Sequence, residues 1–243
     1  MSRARLRALG LLLAAVLGAV AIALWARGRA PAPLGERPAA QRPALMLLTS
    51  LPLMFGEEFS LAATGSPALD ALQQRYRVVP ISVTEPAELA KARLLLMAQP
   101  LAQPAEHLVA LDEWVRAGGR LLLLADPLLE WPGKRPLGDP LRPPAMFADT
   151  GLLAHWGLSL DAPDARGTKS MSLGRHDILT VSPGRLSGDC AIGEQGLVAR
   201  CRLGKGKATI IADADLLDAE RLGSGAKQNL DALLAELAQL ERR

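Results

Sequence analysis

Cysteine and histidine are scarce in this sequence of 243 residues, which contains two Cys and three His. A zinc site needs several such ligands at close spacing, and His107, His155 and His176 stand singly. A cysteine nucleophile needs a histidine partner and a tight turn after a buried strand, and neither Cys190 nor Cys201 follows such a strand. The sequence therefore predicts no Cys–His catalytic site and no metal centre built from these residue types.

The motifs that bind nucleotides or activate a serine are also missing. There is no G-x-G-x-x-G, and Gly204–Gly206 (GKG) is shorter than a phosphate-binding loop and lacks its Ser or Thr. Ser66 follows a glycine, but no strand leads into it, so a helix N-cap is the better interpretation. We therefore predict that the protein is not an enzyme and holds no cofactor, and that Gly204–Gly206 is a tight turn before a strand.

A basic stripe is absent as well, although the chain has a formal net charge of +3. Five of the 28 basic residues are arginines within residues 1–29, which contain no acid. The remaining chain has 23 basic against 25 acidic residues, a net charge of −2. Nucleic-acid binding depends on clustered positive charge, so we predict no nucleic-acid partner.

An uncharged apolar run covers residues 8–26 and is preceded by three arginines. A helix of this length just spans the ~30 Å hydrocarbon core of a bilayer, and the arginines favour residues 1–7 on the cytoplasmic side. We predict a single-pass signal anchor in the inner (cytoplasmic) membrane, with the rest of the chain on the periplasmic side. The alternative is a cleaved signal peptide, because Ala21–Ala23 has the small-x-small form.

Residues 27–43 are rich in proline and alanine and are predicted to be a semi-extended tether. In residues 44–243, short apolar runs alternate with stretches of helical periodicity. The runs Ala44–Thr49, Arg93–Ala98 and Arg120–Ala125 are predicted to be buried strands. This alternation predicts an α/β domain with a doubly wound, mostly parallel sheet, preceded by the one transmembrane helix.

Three predicted helices have recognisable ends. The first begins with Ser66 as N-cap and Pro67 at the first helical position. The second, Pro104–Ala117, is ended by two glycines, and the third, Lys227–Leu240, has leucines along one side.

Cys190 and Cys201 flank a short glycine-containing segment. In an oxidising compartment a disulfide between them is plausible. The alternative is two unrelated buried thiols, and the sequence leaves both open.

Four stretches carry a resemblance to a known family. They are RPALMLLTSLPL (Arg42–Leu53), EHLVALDEWVRAGGRLLLLADP (Glu106–Pro127), LLAHWGLSL (Leu152–Leu160) and GKGKATIIADADLLD (Gly204–Asp218). The chain resembles glutamine-amidotransferase-like, flavodoxin-like domains, and is more closely similar to the auxiliary component of gliding-motility-type ABC transport systems and its uncharacterised relatives. The resemblance implies association with the permease and ATPase subunits of an ABC-type transporter. In catalytic amidotransferases a cysteine follows the strand that matches Arg120–Ala125, where this chain has Asp126.

Three aspartates follow predicted strands, at the sheet edge where open α/β folds place their ligands. Asp126 follows Arg120–Ala125, and Asp213 and Asp215 follow the last predicted strand. They could converge on a divalent cation, but aspartates at strand ends more often cap turns and helices. Trp131 lies in a proline-rich stretch and is a candidate for partner contact.

These observations predict a membrane-anchored, non-catalytic accessory protein of the cell envelope, associated with an ABC-type transport system. It would recognise its ligand or partner through Asp126, Trp131, Asp213 and Asp215. One alternative is a metal-assisted hydrolase that uses the three aspartates. Another is a structural membrane-assembly protein acting through its anchor helix, in which Gly10, Ala14 and Gly18 recur every four residues.

Overall fold

Three continuous apolar runs form the centre of one sheet. They are β1 (Ala44–Thr49), β3 (Leu94–Ala98) and β4 (Arg120–Leu124), and their inner residues are buried. The structure is a computed structural model that describes Gly18 and residues 32–54, 65–136 and 138–242. The chain divides into two units, Met1–Ala32 and Pro33–Arg243, and the elements below all belong to the second.

The central sheet has seven strands in the order β2-β1-β3-β4-β11-β10-β9. The first five strands of that order are parallel, and β10 and β9 run antiparallel to their neighbours. The four outer strands are β2 (Arg77–Pro80), β9 (Ala191–Gly193), β10 (Val198–Leu203) and β11 (Gly206–Ile211). The antiparallel part arises because the two-residue turn Gly204–Lys205 joins β10 to β11, and only antiparallel strands can be joined so tightly.

Helices cover both faces of this sheet. On one face α1 (Pro67–Gln73) and α6 (Ala226–Glu241) pack against alternate strand residues such as Leu45 and Leu47. On the other face α2 (Pro86–Leu89), α3 (Ala105–Arg116) and α4 (Leu152–His155) pack against the intervening residues, such as Met46 and Leu48. Because successive side chains of a strand point to opposite faces, each apolar run supplies both cores.

A β-rich segment lies between β4 and β9. It contains two small antiparallel sheets, each of two strands. The first pairs β5 (Leu158–Asp161) with β8 (Arg185–Gly188), and the second pairs β6 (Thr168–Leu173) with β7 (His176–Val181). A short helix, α5 (Ala219–Leu222), precedes α6.

The Gly-Lys-Gly turn packs directly on the end of α3. The Lys205 amide donates to the Arg116 carbonyl at 2.9 Å, and the Lys207 amide donates to the Gly119 carbonyl at 3.2 Å. A Cβ placed on Gly206 would lie 1.9 Å from the carbonyl oxygen of Val115. The glycine therefore permits contact of one backbone with another, as the prediction of a tight turn requires.

The segment before β1 is held against the domain. The guanidinium of Arg37 makes a two-pronged ion pair with Glu241 near the end of α6, at 3.1 and 2.7 Å. It also lies 5.3 Å above the ring of Tyr76, a cation–π contact. Arg42 binds Glu36 and the Arg37 carbonyl. Arg37 thus fixes this part of the predicted tether to the domain, and the bonds of Arg42 stabilise the tether segment internally.

Cys190 and Cys201 form a disulfide that links the residue before β9 to β10. Cys201 is buried and Cys190 packs beside the same core. The bridge fastens the short edge strand β9, which has only three residues, to the rest of the sheet.

Reduction of this disulfide is expected to lower the free energy of unfolding by ~2–3 kcal/mol, because a closed loop of this size restricts the unfolded chain. Urea unfolding with and without dithiothreitol measures the difference. The double variant Cys190→Ser, Cys201→Ser is the control and should unfold identically in both conditions. Equal stability of the oxidised and reduced protein would contradict the expectation.

The predicted fold class, membrane topology and location require correction. The central sheet is mostly parallel, but β10 and β9 run antiparallel and two small antiparallel sheets accompany it, whereas the prediction had a single sheet preceded by a transmembrane helix. Among the described residues no helix is sufficiently long and apolar to cross a membrane; α6, of 16 residues, carries charged residues between its leucines. This finding overturns the single-pass, inner-membrane assignment. Residues 8–26, on which the assignment and the small-residue stripe rested, lie outside the described residues except for Gly18.

Candidate functional site

The three predicted aspartates meet at the carboxyl end of two neighbouring strands. Asp126 follows β4, and Asp213 and Asp215 follow β11, which pairs in parallel with β4. All three are fully buried, with 0% relative exposure. The strand order therefore brings together residues that lie about 90 positions apart in the sequence.

These carboxylates are acceptors for backbone amides. Asp126 accepts from Leu128 and Ala214, each at 2.8 Å. Asp213 accepts from Val181 at 2.8 Å and from Leu216 at 2.7 Å.

Asp215 accepts from the Glu130 amide at 2.8 Å through Oδ2, whereas its Oδ1 has no hydrogen-bond partner. Five of the six carboxylate oxygens thus bind backbone N–H groups. Within the described ranges, no group of three or more His, Cys, Asp or Glu side chains is placed to hold a metal ion.

Burial raises the pKa of each aspartate. It raises the pKa of Asp126 to about 6, against the lowering effect of the backbone amides of Ala214 and Leu128. It raises the pKa of Asp215 to about 7, with a further contribution from the Asp126 charge. The pKa of Asp213 lies well above its ordinary value for the same two reasons, burial and the charge of Asp126. Removing carboxylates from water disfavours their charged form.

The loop over these aspartates, residues 127–136 and 138–147, is here called the edge loop. Its two ends are joined by backbone bonds from Phe147 to Asp126 (2.7 Å) and from Leu129 to Ala145 (2.9 Å). Glu130 fixes its first half: its carboxylate accepts from the Ser182 hydroxyl at 2.5 Å and pairs with Arg221 at 3.0 Å. These two bonds hold the pKa of Glu130 below its usual range.

Sequence reasoning missed Gln99 and Ser182. Both are fully buried and adopt positive φ angles, 43° and 48°, which non-glycine residues rarely adopt. Gln99 follows β3 and binds the Asp126 backbone at its N–H (3.0 Å) and carbonyl (3.2 Å), and the Pro144 carbonyl at 3.0 Å. Gln99 and Ser182 each precede a proline in the sequence, which signals a chain reversal after a strand. That signal does not reveal the positive φ angle of the residue itself.

Trp131 lies in the edge loop but is half-buried and packs against the core. It lines a small surface cavity with Leu129, Pro132, Gly133, Arg142, Pro143 and Ala145. Two large apolar side chains of the same loop face solvent, Leu141 at 68% and Met146 at 65% relative exposure. The structure therefore separates the predicted residues: the aspartates lie under the loop, and Trp131 borders its outer surface.

Replacing Asp215 by asparagine is expected to stabilise the protein at pH 8 by about 1–3 kcal/mol and to flatten its stability profile between pH 5 and 8. A carboxyl whose pKa is higher in the folded than in the unfolded protein stabilises the fold fully below its unfolded pKa of ~3.8. This stabilisation is lost as the pH rises through the pKa of the folded protein, about 7. Asparagine removes the charge and can still accept from Glu130. Urea unfolding across this pH range tests the expectation.

Asp177→Asn, at an exposed position of β7, is the matched control and should leave the profile unchanged. If the Asp215→Asn protein were less stable than the parent at pH 8, the interpretation would be contradicted.

No family model matches the chain, and no curated protein matches it. Among solved structures, the N-terminal domain of mmIFT52 has a TM-score of 0.54 at 13% identity, covering 82% of this chain and 99% of that chain. Cytoplasmic protein STM3548 from Salmonella typhimurium has a TM-score of 0.51 at 12% identity, covering 83% and 100%.

The exo-β-1,4-mannosidase Op5Man5 from Opitutaceae bacterium strain TAV5 has a TM-score of 0.51 at 14% identity, covering 81% of this chain. This chain spans only 36% of the mannosidase. At these identities the likeness shows a shared α/β fold alone.

Proposed function

We propose that the α/β domain acts by binding a protein partner through the edge loop, without catalysis, as an accessory component of an ABC-type transport system. The proposal combines the surface of the edge loop with the family resemblance of the sequence. Binding and assembly are each testable on the full chain.

The arrangement of the aspartates supports a structural role for them, without catalysis. In open α/β sheets the carboxyl ends of the strands are where ligands bind. Here the carboxylates of Asp126 and Asp213 use both oxygens on backbone amides. Groups occupied in this way stabilise turns and leave few oxygens for a substrate or a cation.

The observation that carries the proposal is the outer surface of the edge loop. Leu141 and Met146 expose about two thirds of their surface, beside the cavity that Trp131 lines. Large apolar side chains next to an aromatic-lined depression are typical of protein–protein contact surfaces. The two ends of the loop are fixed by the backbone bonds from Phe147 to Asp126 and from Leu129 to Ala145, which reduces the conformational entropy lost on binding.

The choice of partner follows from the resemblance to the auxiliary component of gliding-motility-type ABC transport systems. We therefore infer that the ATPase and permease subunits of such a system are the first partners to test.

The test is affinity purification of the full chain from its own cells after cross-linking and detergent extraction, with mass spectrometry of the recovered proteins. The variant Leu141→Ser, Met146→Ser removes the exposed apolar pair. The matched control is Val109→Ser, which changes a side chain of similar exposure (58%) on α3.

Recovery of an ATPase and a permease with the parent and with Val109→Ser, and its loss with Leu141→Ser, Met146→Ser, would support the proposal. Recovery that is the same for all three proteins would exclude the edge loop as the contact. Recovery of no transport subunit with the parent would exclude the assignment to a transport system.

A further inference from the structure

Basic residues collect at the amino-terminal edge of the central sheet, opposite the edge loop. Four of the seven strands contribute a basic residue here: Arg77 on β2, and Arg120, Lys207 and Arg202 on the adjacent strands β4, β11 and β10. Arg93 precedes β3. The register pairs Arg120 with Lys207 and Lys207 with Arg202. Because neighbouring strands lie ~4.8 Å apart, Arg120, Lys207 and Arg202 form a row on one face of the sheet. Arg77 and Arg93 come one position earlier in the register, so they extend from the same end of the strands on the opposite face.

Lys205 extends this row at the Gly-Lys-Gly turn. A Cβ placed on Gly118 would lie 3.9 Å from an Nη atom of Arg93 and 3.9 Å from the Cβ of Lys205. The two basic side chains thus flank the same glycine. We call the six residues Arg77, Arg93, Arg120, Arg202, Lys205 and Lys207 the basic edge.

Two members of the basic edge have structural roles. Arg120 donates to the carbonyls of Leu240 (2.9 Å) and Arg242 (3.2 Å), and Lys207 donates to the Arg242 carbonyl at 3.4 Å. Cations in such positions stabilise the carboxyl end of a helix, here α6. These contacts account for Arg120 and Lys207.

The other four members lack such partners. Arg77, Arg93, Arg202 and Lys205 are exposed, and within the described part of the chain none pairs with a carboxylate. By contrast, nearby bases such as Arg116 and Lys91 have carboxylate partners, Asp112 and Glu88. An excess of positive charge is therefore left at this edge, although the chain from residue 30 onward has a net charge of −2.

We propose that the basic edge binds an acidic polypeptide segment of a partner protein. This surface lies at the opposite end of the strands from the edge loop, so the proposal goes beyond the function proposed above and does not depend on it. Exposed charge of one sign steers an oppositely charged partner and fixes its orientation. In an extended segment, alternate side chains lie ~7 Å apart, and this spacing lets several carboxylates reach members of the basic edge.

The surroundings favour an acidic polypeptide over nucleic acid. The aromatic side chains at this edge present little ring surface for stacking on bases, since Trp114 packs against Gly119 and the core and Tyr76 is buried. Sequence-tolerant binding of single strands relies on such stacking.

The experiment measures fluorescence anisotropy of a labelled peptide of alternating Glu and Ser, about ten residues long, titrated with the full chain. In the test variant Arg93→Glu, Lys205→Glu, binding is expected to weaken on the order of 10-fold or more. The matched control is Arg185→Glu, Lys227→Glu, which reverses two exposed bases elsewhere on the surface and should bind as the parent does. Added salt should weaken binding by the parent, because the charges are exposed.

Equal affinity of the parent and the test variant would overturn the proposal. The proposal would also be overturned if duplex DNA of matched charge displaced the labelled peptide at a lower concentration than the unlabelled peptide does, since the basic edge would then favour nucleic acid. Circular dichroism establishes that the test variant is folded. If it is not, Arg93→Gln with Arg202→Gln removes charge without reversing it and should also lower the affinity. The outcomes of this peptide-binding experiment do not depend on whether transport subunits are recovered in the purification described above.

Discussion

Replacing Asp126 by alanine is expected to lower the free energy of unfolding by about 3–5 kcal/mol. The carboxylate is fully buried and accepts from the amides of Leu128 and Ala214. Each buried amide left without an acceptor costs ~1–3 kcal/mol, and the loss also frees one end of the edge loop. Urea or guanidinium unfolding of the purified variant measures the change.

Asp149→Ala is the matched control for this experiment. Asp149 also accepts from two backbone amides, those of Gly151 and Leu153, but it is exposed, so water can replace its oxygen. Its loss should cost about 0.5–1 kcal/mol. If the two variants were destabilised equally, burial would not be the reason for the role of Asp126, and the assignment of these aspartates as structural acceptors would fail.

Replacing Gly206 by alanine is expected to have an effect of similar size, about 3–5 kcal/mol. The added Cβ would lie 1.9 Å from the Val115 carbonyl oxygen and 2.5 Å from that of Gly119. Both obstacles are backbone atoms in ordered elements, so β11 or the end of α3 must shift to make room. Thermal or chemical unfolding would show this as a lower midpoint.

Gly35→Ala controls for the general effect of replacing glycine. A Cβ at Gly35 would have no atom within 4 Å, so stability should change by less than about 0.5 kcal/mol. A Gly206→Ala protein as stable as the Gly35→Ala protein would show that the turn does not need its close contact with α3.

Local patterns in the sequence predicted the elements that depend on neighbours along the chain. Runs of leucine and methionine indicated β1, β3 and β4, and strands occur at those positions. Ser66 caps α1 as predicted, accepting from the Leu69 amide at 3.2 Å. Such signals are local because the residues of a strand covered on both faces, or of a helix start, are enough to identify that element in the sequence.

The rest of the candidate site depends on contacts between distant segments. The aspartates were predicted to lie close together, but the sequence left their role open, because the amides that they bind belong to Val181, Leu128 and other residues outside any motif. The basic edge was missed for the same reason. Its six members come from six different strands or turns spread over residues 77–207. Arg202, Lys205 and Lys207 lie close together in the sequence, but nothing in the sequence shows that Arg77, Arg93 and Arg120 join them.

The ion pair between Arg37 and Glu241 bears on whether the segments of the domain can be joined in a different order along the chain. Because these side chains are 2.7 Å apart, the first and last segments of the domain lie side by side at its surface. A short glycine-rich linker from residue 242 to residue 35 could therefore close the backbone, and the circularised domain could be opened at the exposed turn Gly174–Arg175 between β6 and β7. Domains whose ends meet in this way tolerate circular permutation and insertion into the loops of other proteins.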